Sequence, residues 1–158
     1  MSDSDAARGA RGAEPEALSA DQPWYRQGLR FQCTRCGQCC TGPGGAVWVS
    51  REEEEALAAA LGLDQETLRA RYLKRLFGRN RLRERDESGD CIFLEDGRCR
   101  VYAQRPAQCQ SYPWWPALLE SPERWQEEAR RCEGISDEAP LIPLETIEAQ
   151  SIAPRGRR

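Results

Sequence analysis

Cys33-Thr34-Arg35-Cys36-Gly37-Gln38-Cys39-Cys40 packs four thiols into eight residues. Gaps of two residues let successive sulfurs turn back onto one metal centre. Cys91, Cys99, Cys109 and Cys132 follow downstream, and the chain contains no histidine. Any metal held here must therefore be held mainly by thiolates. Such donor sets suit zinc or iron–sulfur chemistry rather than magnesium, calcium or copper(II). All eight cysteines are candidate metal ligands, and the expected cofactor is zinc or iron, including an iron–sulfur cluster, in one or two centres. With 39% apolar and 31% charged residues in a chain of 158, the core is thin, and thiolate–metal bonds supply folding energy that it lacks. The expected fold is a small metal-stabilised α+β single domain, with short helices and a β-hairpin around the cysteine cluster.

Residues 1–22 are rich in Ala, Gly, Ser, Asp and Glu and contain one leucine and no aromatic residue. They read as a disordered arm. The metal-binding domain is placed at 23–150, and the basic end 151–158 is read as a frayed tail. No stretch reaches the roughly 18 apolar residues of a membrane helix. The amino-terminus lacks the apolar run of a secretion signal. A cytoplasmic, reducing location with no membrane partner is expected. Four structural disulfides, which the even cysteine count would otherwise allow, are not expected there. The net charge is −3 with cysteines counted as neutral. Arg35, Arg98, Arg100 and Arg105 either offset the added negative charge of metal-bound thiolates or form ordinary solvated surface.

Downstream of the knuckle, Thr41-Gly42-Pro43-Gly44-Gly45 reads as loop and Ala46-Val47-Trp48-Val49 as a short strand. Ser50 with Glu53 forms a capping box, and Glu52 to Glu55 suit the start of a helix that Gly62 ends. Asp64 caps a second helix expected to carry Leu68, Tyr72, Leu73 and Leu76 on one face and to end at Gly78. Arg79 to Arg85 suits an exposed strand. Cys91-Ile92-Phe93-Leu94 is expected as the strongest strand, Asp96-Gly97 as a type I′ turn, and Cys99 to Tyr102 as the return strand. Ideal pairing sets Leu94 opposite Cys99 and Cys91 opposite Tyr102. It thus aims the two thiols apart unless a bulge realigns them. Pro106 opens a short helix containing Cys109, and Ser121-Pro122 opens another that runs to Cys132. The apolar group Leu141 to Ile147 follows.

Cys33-x2-Cys36-x2-Cys39-Cys40, Gly89-Asp90-Cys91-Ile92-Phe93-Leu94, Cys99-x-Val101-Tyr102, Arg105-Pro106-x2-Cys109, Tyr112-Pro113 and Cys132-x-Gly134 together resemble the CxxCxxCC family of YkgJ-like cysteine cluster proteins. The resemblance runs from Phe31 to Gly134 and includes the order and spacing of all eight cysteines. It implies a zinc- or iron-chelating domain. It names no reaction, although some members carry the label Fe–S oxidoreductase and a related cluster occurs in flagellin lysine methylases. Gln110 stands where the family often has a basic residue, and Trp114 where it often has Phe.

A tetrahedral centre takes four thiolates. Eight cysteines make two such sites, one site with four spare thiols, or one cluster and a functional remainder. Neighbouring side chains in extended backbone point to opposite sides. Cys39 and Cys40 are therefore expected to divide between two centres, or one ligates and the other lies alongside. CxxCxxC opens the bacterial ferredoxin pattern, but the x3-Cys-Pro that closes it is absent. Tyr112-Pro113-Trp114-Trp115 either shields a centre from water or packs in the core. The basic stretch Arg69, Arg71, Lys74, Arg75, Arg79, Arg81, Arg83, Arg85 has little aromatic interleaving in an acidic chain, so a nucleic-acid partner is not expected. Without histidine no histidine-based triad can form, and no phosphate-binding glycine loop is present. The leading reading is a metal-binding module with no assignable reaction. One alternative is an iron–sulfur protein in electron transfer or assisting a modification such as protein methylation. Another is a zinc-supported nucleic-acid-binding or interaction module.

Overall fold

In the computed structural model, which describes residues 22–42 and 45–151, Ser50 starts the longest helix. Its hydroxyl accepts from the Glu53 N–H while the Glu53 carboxylate accepts from the Ser50 N–H, the reciprocal capping box expected. Helix α1 (Arg51–Leu61) ends at Gly62 with φ 65°, a left-handed turn that glycine adopts without a side-chain clash. Asp64 caps α2 (Gln65–Tyr72) through the Thr67 N–H.

The helix expected to continue towards Gly78 stops at Tyr72. Leu73 is extended, and Leu73–Leu76 forms strand β3, paired antiparallel with β4 (Arg79–Leu82). Phe77 and Gly78 join them with φ of 49° and 76°, the left-handed conformations of a two-residue type I′ turn. The reason is tertiary. Pairing sets Leu73 opposite Leu82 and buries both, at 2% and 4% exposure. A longer helix would leave the backbone of Arg79–Leu82 without that partner strand. Nor is β4 an exposed edge. Strand β2 (Trp48–Val49) pairs on its other side, so β4 is the centre of a three-stranded sheet of order β2-β4-β3.

Two more antiparallel pairs complete the α+β architecture. Strand β5 (Leu94–Glu95) pairs with β6 (Arg98–Cys99), and β1 (Leu29–Arg30) pairs with β7 (Leu141–Ile142). The Asp96-Gly97 turn has φ of 48° and 72° and sets Leu94 opposite Cys99, as expected. Cys91 to Leu94 is not a continuous strand, however. Cys91 makes one isolated bridge with Glu84, and its carbonyl accepts from the Leu94 N–H in a turn. The return strand is equally short: it ends at Cys99, and Tyr102–Gln104 winds as a 3₁₀ turn. The remaining short helices are α3 (Ala107–Gln110), α4 (Pro116–Leu119), α5 (Pro122–Ala129) and α6 (Leu144–Gln150). α5 stops short of Cys132, whose N–H still reaches the Glu128 carbonyl at 2.9 Å.

The described residues form two apolar clusters. One gathers Val49, Leu57, Leu68, Leu73, Leu82, Phe93 and Val101 from α1, α2 and the segments beside them. The other gathers Leu29, Trp114, Leu119, Trp125 and Ile147. Arginines of the basic stretch are largely engaged within the fold. Arg69 pairs with buried Glu54, Arg81 with Glu84, and Arg79 stacks on Trp48. Arg83 and Arg85 donate to the carbonyls of Leu73 and Leu94. The expected arm and tail lie outside the described residues, apart from residues 22 and 151.

Leu57 and Leu68 are fully buried, so Leu57→Ala or Leu68→Ala should each cost about 2–5 kcal/mol, read from the urea midpoint. Phe77 is 89% exposed at the hairpin tip. Phe77→Asn, which suits a type I′ turn better, should raise that midpoint modestly.

Candidate metal centre

The knuckle is shaped by its backbone. Gly37 has φ 76°, and a Cβ placed there would lie 2.2 Å from the Gly97 carbonyl oxygen. The absence of a side chain lets the knuckle press on the β5–β6 turn. Gln38–Cys40 then winds as one 3₁₀ turn. Cys39 and Cys40 are therefore not in extended backbone, and their sulfurs stand 4.0 Å apart. The premise that extended geometry separates them does not hold here.

Other segments deliver the remaining thiols. The Cys91 N–H donates to the Cys40 carbonyl at 2.8 Å, and Asp90 Oδ1 accepts from the Gly42 N–H at 2.7 Å. These bonds tie the knuckle to the chain entering the β5–β6 hairpin. Because the ladder breaks at Cys91, the thiols of Cys91 and Cys99 are not aimed apart; both reach one cavity. Cys109 sits in α3, whose Ala107 N–H donates to Glu53 Oε1 at 2.7 Å. The Gln108 amide adds bonds to the Ala46 carbonyl and the Trp48 N–H. Cys132 is held near the knuckle because the Gly134 carbonyl accepts from the Gln32 N–H at 2.9 Å. A Cβ at Gly134 would lie 2.4 Å from the Gln32 oxygen.

All eight cysteines line this cavity of about 200 Å³, and all are free thiols. It opens at the seam of the two apolar clusters: Leu82, Phe93 and Val101 wall one side, Phe31, Trp114 and Ile142 the other. Tyr112 also lines it, and Trp114 is 2% exposed. Trp114 of the aromatic patch thus packs in the core, and with Tyr112 it also lines the cavity. Arg35 and Arg105 stand at the cavity with their guanidiniums 4.3 and 3.9 Å from the Tyr102 ring centre. Arg100 instead pairs with Glu95, and Arg98 faces Glu95 across the hairpin.

The thiols polarise one another. Cys40 shares hydrogen bonds with Cys39 and Cys91, which raise its own pKa; Cys39 is lowered to about 7 and Cys91 is lowered as well. Burial raises Cys99, Cys109 and Cys132. Tyr102 donates to Cys33 Sγ at 3.5 Å and Tyr112 to Glu128 Oε1 at 2.6 Å. Among the described residues no three Cys, His, Asp or Glu side chains already stand as a formed ion site. The donor set nonetheless fits a thiophilic metal in kind: eight cysteines line one largely apolar space.

The family model described as "Putative zinc- or iron-chelating domain", CxxCxxCC, matches residues 32–133. The chain belongs to this CxxCxxCC family. A relative in Methanocaldococcus jannaschii, an uncharacterized protein, is 28% identical over 92 residues, covering 57% of this chain and 48% of its own. The chain thus spans about half the length of that curated relative. No solved structure matches. In this CxxCxxCC chain, sequence reasoning names every cavity cysteine but misses the groups that aim them. At Glu53 the sequence signals only the helix start, although the same carboxylate also caps α3. Gln108 and Glu128 carry no local signal, and Asp90 is marked only as part of the Gly89-Asp90-Cys91 motif, because their partners lie 16 to 62 residues away.

Gly37→Ala should destabilise the chain by more than about 1 kcal/mol, since both the positive φ and the Gly97 contact oppose a side chain. The urea midpoint, compared with Gly42→Ala, whose Cβ meets nothing within 4 Å, separates the contact from the backbone cost.

Proposed function

We propose that the chain is a cytoplasmic metal-binding domain, placed at 23–150, that holds zinc or iron through its eight cysteines. One observation carries this reading: thiols from the knuckle, the β5–β6 hairpin and the turn before it, α3, and the turn after α5 all line a single cavity. Bound metal would cross-link these segments, adding to the backbone, polar and apolar contacts through which they already meet. Its role is then chelation or a metal-stabilised interaction surface, with no reaction assigned.

The cavity walls favour a second reading. Phe31, Phe93, Val101 and Trp114 give whatever the thiolates hold an apolar wall on part of its surface, while Cys33 and Cys39 stay exposed. That is the setting in which an iron–sulfur cluster is tuned for electron transfer or for assisting a modification such as protein methylation. The nucleic-acid reading has less support, since arginines of the basic stretch are engaged within the fold.

Protein purified without oxygen should carry zinc or iron, measured together with acid-labile sulfide and a visible spectrum. Zinc with no sulfide and no colour supports the chelating module. Iron with matching sulfide and a brown chromophore supports the cluster protein. A chain that takes up neither metal overturns both. Because ligating thiols must lose their protons, affinity should fall as pH is lowered, checked by zinc titration from about pH 8 to about pH 5.

A further inference from the structure

We infer that the eight thiols divide into two four-thiol centres of unequal accessibility: an outer one of Cys33, Cys36, Cys39 and Cys132, and an inner one of Cys40, Cys91, Cys99 and Cys109. The inference rests on the metal-binding reading above and adds which thiols act together and which metal exchanges.

Backbone ties draw the line. Cys91 is joined to Cys40 by a 2.8 Å hydrogen bond, and the turn that follows Cys91 leads into the hairpin strand opposite Cys99. The thiols of Cys91, Cys99 and Cys109 lie close enough to interact electrostatically. On the other side, the 2.9 Å bond from Gln32 to the Gly134 carbonyl brings Cys132 beside the start of the knuckle, and Cys132 interacts with Cys36.

Cys39 lies at the boundary. Its sulfur is 4.0 Å from that of Cys40 and within electrostatic reach of the inner thiols. It is also within reach of Glu128, whose carboxylate holds Tyr112 beside Cys132. A tetrahedral site has four places. Cys40, Cys91, Cys99 and Cys109 fill one, and the two-residue gap from Cys36 turns Cys39 towards the other. Cys39 and Cys40 then serve different centres although their sulfurs are only 4.0 Å apart.

Exposure makes the centres unequal. Cys33 and Cys39 are exposed, whereas Cys36 in the outer set and all four inner thiols, Cys40, Cys91, Cys99 and Cys109, are half-buried. Although Cys132 is itself buried, a competing ligand reaches the outer centre through its two open thiols. Phe93, Val101 and Leu82, three buried side chains, belong to the cluster against which Cys91 and Cys99 of the inner set pack. The outer centre is the exchangeable site and the inner one holds the fold.

The test uses the full chain, reduced and reconstituted with zinc alone, then challenged with excess chelator. Two zinc per chain are expected, one for each set of four thiolates. They should leave in two phases of one equivalent each, the fast phase roughly tenfold or more faster, because all four inner thiols are half-buried. Cys33→Ser and Cys39→Ser should each remove the fast equivalent and leave the slow one. Cys99→Ser and Cys109→Ser should remove the slow one, with the far-UV circular dichroism of each variant recorded in parallel. Loss of the same equivalent from Cys39→Ser and Cys40→Ser, or loss of all zinc from Cys33→Ser while its spectrum is unchanged, overturns the division but leaves metal binding intact. Single-phase release from the unaltered chain also overturns it, without recourse to any variant. A chain that binds no zinc, and carries no iron as purified, overturns metal binding itself.

Discussion

The seam between the two apolar clusters is the constraint on which the other features of this fold depend. The described residues do not gather into one core; Leu57, Leu68 and Phe93 belong to one cluster, Trp114, Trp125 and Ile147 to another. Small domains bury too little surface to tolerate such a division without other support. The cysteines lie where the two clusters meet, and the cavity walls are drawn from both. Under the metal-binding reading proposed above, thiolate–metal bonds across that seam would replace missing apolar contact, with site energies of roughly 10–16 kcal/mol in small zinc domains.

What aims the thiols is mostly polar and long-range. Glu53 completes the cap of α1 with one carboxylate oxygen and holds the start of α3 with the other. Gln108 spans from α3 to β2 and the residues entering it. Asp90 reaches the loop after the knuckle. Glu53 and Gln108 join a cysteine-bearing helix to elements of the larger cluster, so the cavity inherits the rigidity of α1 and the sheet. Tyr112 and Glu128 do the same from the other side, through a 2.6 Å bond beside Cys132.

The sequence is legible wherever local chemistry decides. Ser50, Gly62 and Asp64 place helix ends through caps that need only nearby residues, and Asp96-Gly97 sets its hairpin register through the turn type alone. The helical spacing of Leu68, Tyr72, Leu73 and Leu76 misleads because a competing partner, Arg79–Leu82, lies just beyond it. Likewise Cys91 to Leu94 has strand composition, but the pull of the Cys40 carbonyl and a turn at Leu94 interrupt it. The eight candidate thiols can be named from spacing. Their gathering into one cavity requires pairings such as Cys40 with Cys91 and Gln32 with Gly134, which no periodicity encodes.

The hairpin tip at Phe77 and Gly78 has a topological meaning. Phe77 is solvent-exposed and held at a positive φ, it takes no part in lining the cavity, and it falls between Cys40 and Cys91 in the chain. A single backbone cut there yields two fragments with four cysteines each. Exposed turn tips tolerate such breaks, and β3 and β4 would still pair across the gap. Neither fragment holds either proposed centre whole, because the outer one needs Cys132 from the later piece and the inner one needs Cys40 from the earlier. On the proposed division the molecule would be two interlocked halves, each completing the other's ligand set, and reassociation of the nicked halves would be coupled to the metal they share.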